Sequence, residues 1–313
     1  MIYLCIESSH TRGMGHLYRS LTLADALCAR GHAVRFLIND HAPSLAILRA
    51  RGYEPAIVNL TDMESGWENA FKKGATLWVN DRLDTHAIHA QRIKNAGLAL
   101  VTFDDRGSGA AFADLHIAAL NFDETPPAGK NILRGVEYLL LSPDIARYQR
   151  LRKKVDSLLV TLGGSDTHGA TVKVVKLLAA QKQKATLVLG PSFAHHTELE
   201  AVLTPDFTVK NGVPSMPEEM AHHDLAITGG GMTPFEANAA GLPCIVVANE
   251  DFEIPNGQKL EQLGGSLFAG HHANIDASIF SRALPIEAMS RAGLEHIGLG
   301  GAARVVAALE ALL

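Results

Sequence analysis

The chain has 313 residues, which favours about two domains at roughly 100–200 residues each. Hydrophobic residues make up 47% and charged residues 19%, an ordinary globular balance. The formal net charge of −5 is spread along the chain without a basic block, which argues against a nucleic-acid surface.

The three cysteines, Cys5, Cys28 and Cys244, are isolated and show no metal-type spacing, which suits a reducing cytoplasm. No Lys or Arg precedes the first apolar run, and that run is too short for a signal sequence or a membrane span. A soluble, cytoplasmic protein with no integral membrane segment is expected, and peripheral membrane contact stays open. The fifteen histidines include the doublets His195-His196, His222-His223 and His271-His272. None makes a metal-binding pattern, so they read as solvated loop or helix-end residues and no metal is expected.

In chain order, residues 2–7 (IYLCIE) predict a strand and residues 17–31 a helix stopped by Gly31. Residues 33–40 predict a strand, 44–52 a helix, 76–81 a strand, 85–97 a helix, 98–105 a strand and 115–120 a further strand. This alternation implies a parallel sheet with helices on both faces. Residues 121–150 are turn-rich and then polar and helical, which reads as the exit from a first domain. The pattern then restarts. Strands are expected at 156–166, 185–190, 224–232 and 243–248, and helices at 168–181, 215–223, 233–241 and 300–313. The expectation is an α/β protein of two Rossmann-like domains, 1–150 and 151–313, with parallel sheets facing across a cleft.

Three predicted strands run into glycine loops: RGMGH at 12–16, LGGSD at 162–166 and TGGGM at 228–232. Each precedes a predicted helix. Such loops let backbone approach a phosphate, and helix N-termini offer N–H groups to anionic oxygen, although glycine also serves any tight strand-to-helix turn. Three of them at the carboxyl ends of strands in two α/β halves favour a ligand in the crevice. Gly13 and Gly15 do not form a dinucleotide fingerprint, because Tyr18 stands where the third glycine belongs. Glu236 falls one turn into the helix after Gly229-Gly230-Gly231. It can accept both hydroxyls of a ribose, or act as a capping-type carboxylate.

GMGHLYR resembles the GxGHxxR signature of the UDP-sugar hydrolases of pseudaminic acid biosynthesis (PseG/SpsG-type proteins), within the GT-B glycosyltransferase superfamily. FDDRGSGAAFADLHIAALN, GVEYLLLSPDI and VTLGGSD are similar to further segments of that family, and ITGGGMTPFEANAAGLPCIVV resembles the GGxTxxE segment of the wider GT-B enzymes. The matches occur in order over most of the chain. Three departures stand out. Cys5 and Glu7 occupy the places of an Arg-x-Asp pattern, Met232 replaces the serine before Thr233, and Phe252-Glu253 stands where an Asn-Gln pair is usual.

The resemblance implies hydrolysis of a nucleotide sugar, UDP-linked by family precedent, at its anomeric C1–O bond with release of UDP, and biosynthesis of a modified surface sugar. His16 would be the base, since an imidazole with a pKa of about 6.5 accepts a water proton at neutral pH; otherwise it only shapes the turn. Arg19, one helical turn on, orients the loop, meets phosphate or lies in solvent. Asp81 sits near the sugar in the family, or caps a turn. Asp104 and Asp105 bind sugar hydroxyls or build an ordinary turn. Gly163, Gly164, Ser165 and Asp166 touch the nucleotide, cap a helix, or do both. Glu7, Met232, Thr233 and Glu253 complete the expected substrate contacts. The substrate is the only partner expected, without cofactor or nucleic acid. A GT-B glycosyltransferase using a UDP-sugar donor and a non-catalytic nucleotide-sugar-binding protein are the rival readings.

Overall fold

A computed structural model describes every residue of the chain except 9–13 and 165. The chain divides into two compact units, Met1–Leu141 with Gly300–Leu313, and Ser142–Leu299.

The first unit contains β1 (Ile2–Ile6), α1 (Gly15–Ala29), β2 (Val34–Ile38), α2 (Ala42–Ala50), β3 (Ala56–Ile57), β4 (Leu77–Asp81), α3 (Ala87–Asn95), β5 (Ala99–Phe103), β6 (Leu115–Ala118) and β7 (Asn131–Arg134). Among the described residues they form a seven-stranded sheet in the order β3-β2-β1-β4-β5-β6-β7, with every pairing parallel. β1 and β4 are buried along their whole length, as strands covered by helices on both faces must be. α1 turns Leu17, Leu21, Ala24 and Leu27 inward at helical spacing. Tyr3, Leu37, Trp78, Ile93 and Leu100 pack together on one face of this sheet.

The second unit runs β8 (Leu158–Thr161), α4 (Ala170–Ala180), β9 (Ala185–Leu189), α5 (His196–Glu200), β10 (Phe207–Asn211), α6 (Met216–Ala221), β11 (Leu225–Thr228), α7 (Thr233–Ala239), β12 (Cys244–Ala248), α8 (Ile254–Gln262), β13 (Ser266–His271) and α9 (Ile286–His296). Its described strands form a parallel sheet in the order β10-β9-β8-β11-β12-β13. Val160, Val174, Leu187, Ile227 and Ile245 belong to its core.

The last helix, α10 (Gly301–Glu310), departs from the expected boundary. It belongs to the first unit rather than to the half that precedes it in sequence. Gly301 lies against the Leu139 backbone so closely that a Cβ would fall 1.9 Å from the Leu139 carbonyl oxygen. The Arg30 guanidinium and His32 also meet the Glu310 carboxylate. Residues 142–150 correspondingly go with the second unit, and their helical stretch is a short 3-10 turn, Pro143–Tyr148.

Strand order reverses once in each sheet. In the first unit β1 lies between β2 and β4, and in the second β8 lies between β9 and β11. The crevice outside the carboxyl ends at such a reversal is where open α/β sheets bind ligands. The loops after β1 and β4, and those after β8 and β11, therefore occupy the favoured positions.

Candidate active site

In the first unit, His16 and Arg19 come from the first turns of α1, and Asp81 ends β4. Parallel register sets Ile6 of β1 beside Asp81, so the segment leaving β1 into α1 starts next to this carboxylate. His16 Nδ1 is 2.7 Å from Asp81 Oδ1. Arg19 Nε donates to both Asp81 oxygens at 2.8 Å, and Ser20 Oγ donates to Asp81 Oδ2 at 2.8 Å. Arg19 also donates through Nη2 to Asp81 and through Nη1 to Asp104. All four charged or titratable side chains are buried.

These contacts settle protonation. Burial opposes the Asp81 carboxylate, but the charges of Arg19 and His16 and their hydrogen bonds hold its carboxyl well below the usual carboxylate range. Burial likewise opposes the Arg19 charge, and Asp81 and Asp104 outweigh it, raising the guanidinium above its ordinary value. An ionised Asp81 only accepts, so its 2.7 Å contact assigns the imidazole proton to Nδ1, over the longer 3.3 Å approach of Arg19 Nη2 to the same nitrogen, and leaves the Nε2 lone pair uncommitted among the described residues. A carboxylate holding an imidazole in one tautomer is the arrangement that makes histidine a directed base.

At several positions the geometry bears on the alternatives that the sequence leaves open. Arg19 is neither solvated nor free to bind phosphate, because each of its nitrogens faces a carboxylate or His16. Asp81 does not cap a turn; its oxygens serve His16, Arg19 and Ser20. Asp105 builds a turn, with Oδ1 accepting Thr85 N at 3.0 Å and Gly107 N at 2.8 Å, and burial pushes its carboxyl up. Glu7 is half-buried, 3.7 Å from Arg82 Nε. Cys5 is fully buried and its thiol is pushed up to about 12, so it offers no charge where the resembling family has arginine. Gly15 opens α1, and Gly13 lies outside the described residues. Ser20 and Arg82 carry no motif that sequence reading could single out.

In the second unit, Gly163 and Gly164 follow β8, and Gly229, Gly230 and Gly231 follow β11. Asp166 caps α4, accepting Ala170 N at 2.7 Å and Thr171 N at 2.8 Å, and Ser165 lies outside the described residues. Glu253 proves to be a half-buried clamp: Oε2 accepts Asn249 N at 2.7 Å and Gly230 N at 3.2 Å. Burial pushes its carboxyl up, against those hydrogen bonds. Asn256 Nδ2 completes the clamp on the Gly230 carbonyl at 2.8 Å. A Cβ at position 230 would meet Glu253 Cβ at 2.7 Å, which is why glycine is needed there. One loop N–H is therefore already occupied. Met232 and Thr233 start α7. Glu236, in its first turn, is half-buried and its side chain makes no hydrogen bond or ion pair among the described residues; burial alone pushes its carboxyl up to about 7. A cavity of about 420 Å³ opens at the carboxyl end of β10, lined by Lys210, Val213, Glu218 and His222 among others.

Two histidine doublets are not simply solvated. His223 is buried and hydrogen-bonded to Glu219 at 3.1 Å. His272 stacks on His168 with ring centroids 4.1 Å apart, and burial and the ammonium of Lys173 push it down to about 4. Among the described residues no group of three or more metal-ligating side chains comes together, and no helix is long and apolar enough to cross a membrane.

No family model matches the chain. It is 25% identical over 283 residues to the spore coat polysaccharide biosynthesis protein SpsG of Bacillus subtilis, covering 84% of this chain and 82% of that protein. It is also 25% identical over 277 residues to an uncharacterized protein of Methanocaldococcus jannaschii, covering 80% of this chain but only 56% of that protein, so it spans about half of that relative's length. Among solved structures, MurG of Acinetobacter baumannii superposes with a TM-score of 0.71 at 14% identity, covering 99% of both chains. The glycosyltransferase VinC, solved with dTDP, gives 0.65 at 14% identity, covering 100% of this chain and 99% of that one. The fold is thus that of the GT-B glycosyltransferases, two parallel-sheet α/β units, in a chain with a homologue in spore coat polysaccharide biosynthesis.

Proposed function

We propose that the protein hydrolyses a UDP-sugar at its anomeric carbon. The observation that carries this reading is the hydrogen bond from His16 Nδ1 to an ionised Asp81, beside the strand-order reversal of the first sheet. His16 Nε2 takes a proton from water, the water oxygen bonds to C1, and the C1–O bond breaks with its electron pair leaving on UDP. The glycine loops of the second unit hold the diphosphate, and Glu236 accepts the ribose hydroxyls. A half-buried carboxylate whose side chain has no partner among the described residues keeps its accepting capacity for two new donors, which supports that assignment. The cavity at the end of β10 lies on the same carboxyl edge as these loops and offers room for the base.

The likeness to glycosyltransferase structures favours a second reading, in which His16 deprotonates an acceptor hydroxyl instead of water. Incubating the protein with UDP-sugars in ¹⁸O-labelled water separates the two. Hydrolysis at C1 releases UDP without an acceptor, and that UDP contains no label. Release only after an acceptor is added would support transfer, and label in the UDP phosphate would defeat attack at C1. UDP binding with no turnover of any nucleotide sugar, with or without acceptor, would leave a binding protein.

A further inference from the structure

We propose that Asp104 is a positioning residue for His16, acting through Arg19. The proposal rests on the reading of His16 as base. Asp104 follows β5, and its Oδ2 accepts Arg19 Nη1 while its Oδ1 accepts Leu120 N at 2.7 Å. Its backbone N–H donates to the Ile117 carbonyl at 2.9 Å, and its φ of +46° lies in the left-handed region that few non-glycine residues adopt. Residues held in that conformation persist where surrounding contacts over-determine them. Here those contacts aim one carboxylate at one guanidinium. The Phe103 ring lies under the same guanidinium at 5.6 Å, so Arg19 is held from three sides: by Asp81 on β4, by Asp104 after β5 and by an aromatic face.

The charge balance gives this geometry a purpose. One guanidinium, Arg19, stands between two carboxylates, Asp81 and Asp104, with His16 and the Ser20 hydroxyl as the other polar groups on Asp81. With His16 neutral the buried group carries one net negative charge. Once His16 has taken a proton the group is neutral, which is the state a buried site favours. Without the Asp104 charge the resting group is neutral and proton uptake leaves an uncompensated positive charge. Arg19 also loses one of its two anchors, and with it the fixed orientation of Asp81 and the imidazole.

Asp104→Asn tests this, because asparagine tolerates the left-handed backbone and keeps the side-chain shape. The expected result is a roughly tenfold or larger fall in kcat with little change in KM, and an acid limb of the pH–rate profile moved to lower pH. Side-chain ¹⁵N NMR without substrate supplies an independent readout: the wild type shows the Nδ1–H tautomer of His16, and the variant adds Nε2–H signal. An unmoved acid limb together with a single Nδ1–H tautomer overturns the proposal, whatever happens to kcat. If no turnover is found for any nucleotide sugar, the tautomer alone decides it. Wild-type turnover by His16→Asn would instead overturn the reading of His16 as base.

Discussion

Asp81 is the acceptor on which the first-unit site converges, taking hydrogen bonds from His16, Arg19 and Ser20. Asp81→Asn keeps the shape but removes the charge and part of the accepting capacity. Steady-state kinetics should show kcat lower by ~10²–10⁴-fold, with UDP affinity by calorimetry unchanged. Arg19→Met leaves two buried carboxylates without their cation and should cost about 3–5 kcal/mol in urea unfolding. Its pH dependence has a definite sign. The Asp81 carboxyl is depressed in the folded state, so its stabilisation is complete above the unfolded value of about 3.9 and is lost as pH falls below it. The cost of Arg19→Met should therefore be full near neutral pH and should shrink as pH falls below about 3.9, where the wild type loses the same stabilisation. Glu236 has the opposite sign. Its folded value of about 7 lies above the unfolded value of about 4.3, so stability falls as pH rises between them. Glu236→Gln should raise the thermal midpoint of the ligand-free protein at pH 8 but not at pH 4, while weakening UDP binding at pH 8. His16 was legible in the sequence because the GMGH spacing places it between a predicted strand and a predicted helix. The role of Asp81 was not, because 65 residues separate the pair and only the pairing of β1 with β4 brings them together.

At the scale of elements, α10 binds the first unit through backbone closeness more than through charge. Gly301→Val places a branched side chain against the Leu139 carbonyl and should lower the urea midpoint strongly, whereas Glu310→Gln weakens only surface pairs with Arg30 and His32 and should change it less. The interior strands β1, β2, β4, β5, β6, β8, β9, β11 and β12 were readable as apolar runs because helices cover both faces of a parallel sheet. The edge strands β7 and β10 were not, since most of their residues are exposed or half-exposed and carry polar types that break the run. β13 is half-buried, and α8 contains Pro255 and Gly257, residues that disguise a helix. The attachment of α10 to the first unit had no local signal, because an amphipathic pattern shows that a face is buried but not against what.

At the scale of the molecule, the same construction appears twice. Each unit has a parallel sheet with one reversal of strand order, and in each the polar loops gather at the carboxyl ends beside it. The two sets of loops differ in kind. The first presents an oriented imidazole over a buried charge network, which suits proton transfer. The second presents glycine turns, a clamped Gly230 and an unpartnered Glu236, which suit a nucleotide diphosphate. The initial rate of UDP release from UDP-sugars, without an acceptor, in wild type and His16→Asn tests this division most directly. The account predicts steady release by the wild type and a loss of ~10²–10⁴-fold in the variant, with UDP still bound by both. Equal rates in the two proteins would contradict it.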